Sequence, residues 1–439
     1  MNFELVLKIL DVIILVFVIG FPIYGFNLII NFIVSFHHLK RVPHSKKYTH
    51  FAILIPARNE SERVVKHIAK SLLNQTYSRR YFDVYFIVES QEDPTIQRAM
   101  KHGFYYFVRP PISPDRRTKG YALQECIDYF KVNHIKYDAY MIFDADNVLE
   151  ANYLEVMNDM RQAGYEVGQG YRNFTNCSEN IFTSTSSVLF LYIMGVTGQA
   201  RSNLYNKVSL SGTGYYINAD IIDEAGGWQF TGMTEDTELT RYCYENDIKM
   251  KITTRTQFYD EQAPQYKVWH NQHVRWSWGY IIKESKTHTH GVRHNNSGKF
   301  KRFMSLLEYK WSFIPFVILN VVLFLLALTH LGFSIGAAFS GNLDFHFTFL
   351  MRFLIIILSM IGEFAFIAMV IILKEFKRTK FTLFASIACV LSYWMLYADL
   401  ILAFLDGLFN KNKRREWKVI PHSGNIKNKK AIKQSRVKQ

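Results

Sequence analysis

Two aspartates stand two residues apart in the segment MIFDADNVLE, directly after an apolar run. Asp144 and Asp146 can both face one cleft from a strand-end turn, and no basic residue beside them in the chain neutralises their charge. Hard divalent cations prefer such oxygen ligands, so the pair indicates Mg²⁺ or Mn²⁺ bound together with the phosphates of a ligand. The alternative is an Asx turn, or a helix N-cap supplied by Asp146 or Asn147.

A second acidic group opens a predicted helix in GMTEDTELTRY. Thr234, Glu235 and Asp236 could form a capping arrangement, with Thr234 as the cap and the acids facing the helix dipole. In the other interpretation, a carboxylate at the edge of a cleft acts as a general base.

A third cluster lies on a predicted helix, QYKVWHNQHVRWSWGYIIKES. Gln272, Arg275 and Trp276 share one face, with Trp269 a turn before them and Gly279 a turn after. An arginine beside a tryptophan can bind a phosphate with its planar donors while the indole stacks on a sugar ring. The alternative is an amphipathic helix that packs its tryptophans against a membrane interface.

The elements that must position these clusters alternate between residues 49 and 147. HFAILIP, YFDVYFIVE, GFYYFV and YDAYMIF have the pattern of strands, and SERVVKHIAKSLLNQ, DPTIQRAMKH and KGYALQECIDYFKV have the pattern of helices. This α/β alternation predicts an open parallel sheet covered on both faces, with ligands at the carboxyl ends of the strands. The polar segments at those ends are PARNE, ESQED, RPPISPDRRTKG and DADN. The small-residue turn SLSGTGYYI adds Gly212 and Gly214 as candidates for the acceptor side of the cleft.

Apolar runs at residues 12–36, 313–328 and 353–361 surround this region. About 20 apolar residues span a bilayer, so the first run predicts a retained anchor rather than a cleaved signal peptide. The formal charge of +15 gathers beside these runs and does not follow the pattern of a nucleic-acid-binding fold, which argues against a nucleic acid partner. The same basic segments place residues 40–310 in the cytoplasm.

The last apolar segment, residues 381–409, contains Asp399 and Asp406. Three full spans after the cytoplasmic region would put the basic tail outside, against the positive-inside rule. We therefore expect this segment to be partly interfacial or re-entrant, or split into two short passes. Its carboxylates could line a polar lumen or form a buried pair satisfied by neighbouring helices.

Cysteine and histidine residues give weaker signals. The four cysteines are far apart in the chain, which indicates that they are reduced thiols and serve as small packing side chains. His288, His290 and His294 could suggest a zinc site, but no cysteine or carboxylate stands at ligand spacing, which favours a solvated loop. The predicted domains are an anchor (1–38), a cytosolic domain (48–285), a basic loop with an interfacial helix (286–310), C-terminal membrane or interfacial helices (311–410) and a basic cytosolic tail (411–439).

The order of motifs, PARNE, DAD, TED and QHVRW between membrane segments, resembles the processive family 2 glycosyltransferases, the group of cellulose, hyaluronan and chitin synthases. The resemblance covers about residues 50 to 280 by motif and the rest by membrane layout. It implies a Rossmann-like cytosolic domain of the GT-A type inserted between α-helical transmembrane segments. It also implies a UDP-sugar donor and Mg²⁺ or Mn²⁺.

The resemblance further implies a role for each matching residue. Asp236 would be the base, with Glu235 beside it, and Asp144 and Asp146 would hold the sugar diphosphate, Asp146 as the more direct metal ligand. Arg275 would contact the diphosphate, and Gln272 and Trp276 the acceptor. The implied nucleotide-pocket residues are Pro56, Ala57, Arg58, Glu60 and Lys119. The family has an Asp-rich turn after the second strand where this chain has VESQEDPT, so Glu89 or Asp93 is expected to replace the uracil contact.

The implied reaction is a single displacement that inverts the anomeric carbon. The expected product is a β-linked polysaccharide, exported by the membrane helices of a multi-pass plasma-membrane enzyme, with an accessory export subunit as a possible partner. The alternative is a glycolipid synthase similar to ceramide glucosyltransferase, which adds one or a few sugars to a lipid acceptor. A third hypothesis, an inert membrane scaffold or transporter, does not explain four intact motifs.

Overall fold

The computed structural model describes residues 3–37, 39–111, 113, 116–281, 298–311 and 314–409. Its strands are β1 (Phe51–Pro56), β2 (Phe82–Val88), β3 (Tyr105–Val108), β4 (Ala139–Ile142), β5 (Val148–Leu149), β6 (Val167–Phe174), β7 (Tyr215–Asn218) and β8 (Met250–Asp260). Its helices are α1 (Phe3–Ser35), α2 (Glu62–Leu73), α3 (Thr95–Met100), α4 (Lys119–Val132), α5 (Tyr153–Gln162), α6 (Ile181–Leu191), α7 (Gln199–Tyr205), α8 (Ala219–Glu224), α9 (Glu235–Glu245), α10 (Tyr266–Ile281), α11 (Lys299–Trp311), α12 (Ile314–Phe339), α13 (Leu343–Glu375) and α14 (Leu383–Phe409). A π-helical segment, Tyr192–Gly198, joins α6 to α7.

The strands form one eight-stranded sheet in the order β3-β2-β1-β4-β7-β6-β8-β5. The four predicted strands pair in parallel, as expected from the α/β alternation. The second half of the sheet, for which the sequence predicted no pairing direction, is mixed, because β7 runs antiparallel to both β4 and β6. Because β7 is antiparallel to both of its neighbours, β6 runs in the same direction as β4, and β8 pairs in parallel with β6. The carboxyl ends of β1, β2, β4, β6 and β8 therefore meet at one edge of the sheet.

Local sequence explains where the helices next to this edge begin. The Ser61 hydroxyl accepts a hydrogen bond from Val64 N and caps α2, and the Thr118 hydroxyl accepts one from Tyr121 N and caps α4. Capping satisfies backbone N–H groups that the first helical turn leaves without partners. The Thr118 cap makes Lys119 the first residue of α4, and it faces the strand ends.

Four helical segments are long and apolar enough to cross a membrane in the part of the chain described: Ile181–Tyr205, Leu319–Phe339, Leu343–Glu375 and Leu383–Asp406. The first is mostly buried inside the protein, and its sequence pattern gave no expectation of a long helix. The expected N-terminal anchor coincides with α1. Because α14 is one uninterrupted helix, the alternative of two short passes is wrong.

The C-terminal end of α13 is attached directly to the sheet. The Glu375 carboxylate accepts hydrogen bonds from Tyr171 Oη and from Arg378 Nη1, both at 2.7 Å. Asn173, on the same strand as Tyr171, donates to the Arg378 carbonyl oxygen at 2.9 Å and accepts from the Thr379 hydroxyl at 3.0 Å. Strand β6 thus joins the apolar helices to the edge of the sheet where the polar clusters lie.

Candidate active site

The turn after β4 presents the two aspartates of DAD. The Asp144 N–H donates to the Thr213 hydroxyl at 2.9 Å and to Asn147 Oδ1 at 3.3 Å. The Asn147 N–H also donates to the Asp144 carbonyl oxygen at 3.2 Å, so the backbone and the Asn147 amide close this turn. The alternative of a helix N-cap at Asp146 or Asn147 is wrong, because α5 begins at Tyr153 with Asn152 as its N-cap. The carboxylate group of Asp144 contacts Lys119, and that of Asp146 accepts a hydrogen bond from the Asn147 amide.

Asp146 lies among other carboxylates. The Asn147 amide donates to Asp146 Oδ1 at 3.2 Å and to Asp260 Oδ1 at 3.5 Å, so it bridges the two acids. Burial, together with the charges of Asp260 and Asp144, raises the pKa of Asp146 well above its usual range. Such crowding is relieved when a divalent cation shares the carboxylate oxygens. The donor set therefore fits the metal that the sequence indicates.

Asp260 is a site residue that the sequence reading missed. It is the last residue of β8, MKITTRTQFYD, where an acid at the end of a run rich in β-branched and aromatic residues was the available signal. Arg172 donates to Asp260 Oδ2 from Nε at 3.0 Å and also from Nη2. Gln262 Nε2 donates to the same oxygen at 3.1 Å. Arg172 and Thr213 were missed for a shared reason: each lies on a strand or turn after residue 147, where the alternation that aligns the strand ends no longer applies.

Lys119 connects the DAD and TED motifs. Its ammonium group lies 2.5 Å from Asp144 Oδ1, 2.6 Å from the Gly212 carbonyl oxygen and 3.8 Å from Glu235 Oε1. Burial opposes its charge, but Asp144, Glu235 and Asp236 outweigh burial and raise the pKa of Lys119 above its ordinary value. The lysine therefore stays charged between two acidic motifs that stand about 90 residues apart in the chain.

The acids of TED have distinct environments. Burial raises the pKa of Glu235 to about 8, with Lys119 opposing the rise and Asp236 adding to it. Burial also raises the pKa of Asp236, while the Thr237 N–H, 2.8 Å from Asp236 Oδ1, and the charge of Lys119 lower it. Thr234 is the N-cap residue of α9 but its hydroxyl makes no capping hydrogen bond, so that part of the capping alternative is wrong.

The two glycines of SLSGTGYYI differ in their surroundings. Gly212, at φ +81°, faces the cleft, because a Cβ atom there would lie 3.4 Å from Asp236 Oδ2. Gly214, at φ +67°, packs against the Phe258 ring, which a Cβ atom would meet at 2.1 Å. Its carbonyl oxygen accepts hydrogen bonds from Tyr153 and Gln169 within the sheet. Gly212 is therefore the stronger of the two candidates for contact with an acceptor.

The PARNE segment begins at the last residue of β1, Pro56, and Ala57 N donates to the Ile87 carbonyl oxygen at 2.9 Å. Arg58 Nε lies 3.4 Å from Glu89 Oε2. Glu60 is close enough to Asp146 for its charge to raise the pKa of that carboxyl group.

Asp93 is occupied by the backbone of its neighbours. Its Oδ2 accepts from Asn59 N at 2.9 Å and its Oδ1 from Thr95 N at 2.8 Å. Of the two residues expected to replace the uracil contact, Glu89 is therefore the more available.

Helix α10 carries QHVRW, as the sequence predicts, and its first tryptophan is part of the core. Trp269 is buried and its indole N–H donates to the Ser186 hydroxyl at 2.7 Å, so this residue does not face a membrane. Trp276 packs edge-on against Phe190 at 5.8 Å, and the Arg172 guanidinium lies 3.9 Å above the same Phe190 ring. Gln272, Arg275 and Trp276 are each partly exposed. A chain of contacts thus runs from Trp276 through Phe190 and Arg172 to Asp260, beside Asp146.

Asp399 of α14 binds α10 and not Asp406. Its Oδ1 lies 2.7 Å from His270 Nδ1 and accepts from Tyr266 Oη at 3.3 Å, and its Oδ2 lies 2.6 Å from His273 Nδ1. The Asp399 carboxylate is therefore satisfied by a neighbouring helix, in agreement with one of the two alternatives that the sequence left open. We call Asp399, His270, His273 and Tyr266 the α10 clamp.

Metal binding at this edge needs ligands beyond the protein side chains. In the described part of the chain, no group of three or more His, Cys, Asp or Glu side chains is arranged to hold a metal ion. A diphosphate that supplies further oxygens is consistent with two aspartates alone. The histidines 288, 290 and 294 lie outside the described residues.

Comparisons with known proteins agree with this geometry. A probable glycosyltransferase, YdaM, from Bacillus subtilis (strain 168) is 23% identical over 85% of this chain and 85% of its own length. Glucomannan 4-beta-mannosyltransferase 1 of Cyamopsis tetragonoloba is 24% identical over 55% of this chain and 47% of its own. The beta-monoglucosyldiacylglycerol synthase of Nostoc sp. is 24% identical over 46% and 42%. This chain thus matches about half the length of the last two.

The fold also matches a solved structure. The mannosyltransferase PcManGT from Pyrobaculum calidifontis, in complex with GDP-Man and Mn²⁺, has a TM-score of 0.58 at 13% identity. The match covers 92% of this chain and 99% of PcManGT. This likeness supports the Rossmann-like GT-A fold with C-terminal apolar helices. Residues 49–279, which contain every motif described above, match the model of the family described as glycosyltransferase like family 2, and the chain therefore belongs to that family.

Proposed function

We propose that this protein is a membrane-bound inverting glycosyltransferase that transfers a sugar from a nucleoside diphosphate to an acceptor hydroxyl. The observation that carries the proposal is the position of Lys119, which contacts Asp144 of DAD at 2.5 Å and Glu235 of TED at 3.8 Å. One lysine in contact with both motifs puts a phosphate-binding group and a candidate base in the same cleft. Neither motif alone supported that conclusion.

Asp236 is the proposed base. Its partly exposed carboxylate takes the proton of the acceptor hydroxyl, and the hydroxyl oxygen attacks the anomeric carbon from the face opposite the diphosphate. The bond between the anomeric carbon and the phosphate oxygen breaks, and its electron pair leaves with the diphosphate. One displacement converts an α-linked donor into a β-linked product.

The remaining residues bind and orient the substrates. Lys119 and Arg275 neutralise charge that grows on the leaving diphosphate, and Gln272 and Trp276 orient the acceptor sugar. Asp144 and Asp146 would hold Mg²⁺ or Mn²⁺, which supplies Lewis-acid stabilisation of the leaving group when bound. Glu235, with its pKa of about 8, is largely neutral at pH 7.

We propose UDP as the carrier, with Glu89 and Arg58 at the base-binding end of the cleft. The neighbour PcManGT is described with GDP-Man, which makes GDP the carrier to test against it. Pro56, Ala57 and Glu60 line the same end, and Asp93 supports the PARNE turn through Asn59.

We propose that α1, α12 and α13 span the plasma membrane and that the catalytic domain is cytosolic. Glu375 at the end of α13 contacts β6, and Phe36, directly after α1, lies 5.7 Å from the Lys374 ammonium group. Both helices thus end on the same side, against the catalytic domain. The contacts of α14 with α10 suit an interfacial position for α14, which leaves the basic tail in the cytosol.

Two product classes remain, and one observation favours a lipid acceptor. Export of a polymer needs a polar passage, and lining such a passage was one of the two alternatives that the sequence left open for Asp399 and Asp406. Asp399 is only 4% exposed, and its two carboxylate oxygens contact His270 and His273. A lipid acceptor reaches the interfacial α10 without such a passage, and the relative from Nostoc is named for a glycolipid. The second candidate, a β-linked polysaccharide, is supported by the relative named for glucomannan synthesis.

The experiment supplies the purified protein in lipid nanodiscs with Mn²⁺ and, in turn, each UDP- and GDP-sugar carrying a radiolabel. We expect one donor to label a product, and we expect that product to extract into organic solvent. A labelled product that stays in the aqueous phase and yields to a β-glycosidase would establish the polysaccharide instead. Absence of label in both phases, with Asp236→Asn as the matched blank, would contradict glycosyl transfer itself.

A further inference from the structure

A basic cavity of about 350 Å³ lies far from the active site. Residues 39–42, which follow α1, and residues 251–255 of β8 form most of its lining, and Val156 and Met160 of α5 complete it. Lys251 and Asp260 are at opposite ends of β8, about 30 Å apart at the rise of an extended strand. The cavity is therefore separate from the proposed donor and acceptor sites.

Four cations line this cavity: Lys40, Arg41, Lys251 and Arg255. Asp159 lies beside Arg255: its Oδ2 is 3.5 Å from Arg255 Nη1, and its Oδ1 is 3.2 Å from His44 Nδ1. Among the described residues, Lys40, Arg41 and Lys251 make no salt bridge. Three positive charges thus share a small concave space without a protein anion to balance them.

Lys251 is the most unusual member of the group. It is only 4% exposed, and its ammonium group rests 4.8 Å above the Tyr165 ring. Burial lowers its pKa, and the charge of Lys40 lowers it further. A buried cation that is repelled by a second cation is costly unless an anion is bound beside it. Lysines that only mark the cytoplasmic side of a membrane have no reason to be buried on a strand about 210 residues away in the chain.

The two chain segments that line the cavity are bonded to each other. Arg255 Nη1 donates to the Val42 carbonyl oxygen at 3.0 Å, which fixes the segment after α1 against β8. Only a few residues separate Ser35, the end of α1, from Leu39, and four extended residues reach at most about 14 Å. If α1 crosses the membrane, the cavity lies within reach of the lipid headgroups.

We propose that this basic cavity binds a phosphate group. Lys40, Arg41 and Lys251 would surround it with charge-assisted hydrogen bonds, which are the stronger kind. Its volume is at the lower end of the range for small-ligand sites, which suits a glycerophosphate headgroup or a free phosphate. The catalytic proposal and this one are independent, since no residue is shared between the two sites.

The test measures thermal unfolding of the full-length protein in dodecyl maltoside, with added dihexanoyl phosphatidylglycerol, dihexanoyl phosphatidylcholine or inorganic phosphate. A ligand that binds only the folded state raises the unfolding temperature. We expect phosphatidylglycerol to raise it more than the zwitterionic lipid. In the variant Lys40→Gln/Arg41→Gln, the lipid concentration needed for the same shift should rise by at least about tenfold, because each lost charged hydrogen bond alone is worth about that factor.

A matched control removes two charges from the same segment outside the cavity. Lys46→Gln/Lys47→Gln, both exposed, should respond to phosphatidylglycerol like the parent protein. Lys251→Met should unfold at a higher temperature than the parent without ligand and should lose the response to it. If inorganic phosphate replaces the lipid with the same dependence on these residues, the ligand is a soluble phosphate. If no phosphate-bearing ligand shifts the unfolding temperature, or if all variants respond alike, the proposal is wrong.

Discussion

Gly279 of α10 packs directly against the side chain of Thr234 of TED. A Cβ atom on Gly279 would lie 2.6 Å from Thr234 Cγ2 and 2.7 Å from Thr234 Oγ1, closer than carbon atoms tolerate. Helix α10, which carries Arg275 and Trp276, therefore packs directly on Thr234, the residue before Glu235. This contact positions the proposed acceptor helix relative to the proposed base.

Gly279→Ala should separate α10 from the TED motif. We expect kcat/KM for the acceptor to fall about tenfold, because small displacements of positioned groups are costly in catalysis. Thr234→Ala removes both clashing atoms and its hydroxyl caps no helix, so the double variant should recover most of the activity. Gly332→Ala on α12, where a Cβ atom meets nothing within 4 Å, is the matched control. If Gly279→Ala is as active as this control, the contact between Gly279 and Thr234 does not position α10.

Stability should depend on pH through Glu235. Its pKa is about 8 in the folded protein and near 4.5 in a free side chain, so the folded state retains a proton that the unfolded chain has released. The free energy of unfolding should therefore fall as pH rises from about 4.5 to about 8. Glu235→Gln removes this dependence and should unfold at a higher temperature than the parent at pH 9, by about 2–4 °C for each kcal/mol recovered. Glu245→Gln, at the exposed end of the same helix, should follow the parent.

Activation of the enzyme by Mn²⁺ should depend more on Asp146 than on Asp260. Asp146→Asn should abolish activation by Mn²⁺ at any practical concentration, because a proposed direct ligand is lost. Asp260→Asn should weaken activation by about 10- to 100-fold, the usual size for a residue that orients a metal site without ligating it. Titration of activity with Mn²⁺ measures both. A larger loss in Asp260→Asn would reverse these assignments.

A substitution in the α10 clamp should weaken use of the acceptor without changing hydrolysis of the donor. Asp399→Asn keeps one acceptor oxygen and replaces the other with an amide donor, so either His270 or His273 loses its acceptor, at a cost of about 1–3 kcal/mol where the group left unsatisfied is buried. We expect weaker acceptor use with unchanged donor hydrolysis, since Lys119, Asp144 and Asp146 do not contact the clamp. Asp344→Asn, an exposed residue in the first turn of α13, controls for the same substitution in another apolar helix. Loss of donor hydrolysis in Asp399→Asn would show a role beyond positioning.

The sequence predicted what depends on local pattern. Alternation of apolar and polar residues located β1 to β4 and α2 to α4, and the helical spacing of QHVRW located α10. It did not predict the reversal at β7, because pairing direction depends on contacts between distant strands. Asp260 and Arg172 escaped for the same reason, since the parallel pairing of β6 with β8 brings them to Asp146. The partner of Asp399 could not be read from the chain, because about 130 residues separate it from His270.

The proposed base gives the most direct test of the catalytic mechanism. Sugar transfer from the active donor should be measured in single turnover for the parent, Asp236→Asn and Glu235→Gln, with donor affinity measured in parallel by equilibrium binding. We expect Asp236→Asn to lose about 10²- to 10⁴-fold in the transfer rate, the range for loss of a general base, and to bind the donor normally. Glu235→Gln should retain more activity, because Glu235 is already neutral at pH 7. Transfer by Asp236→Asn at the parental rate would contradict the mechanism.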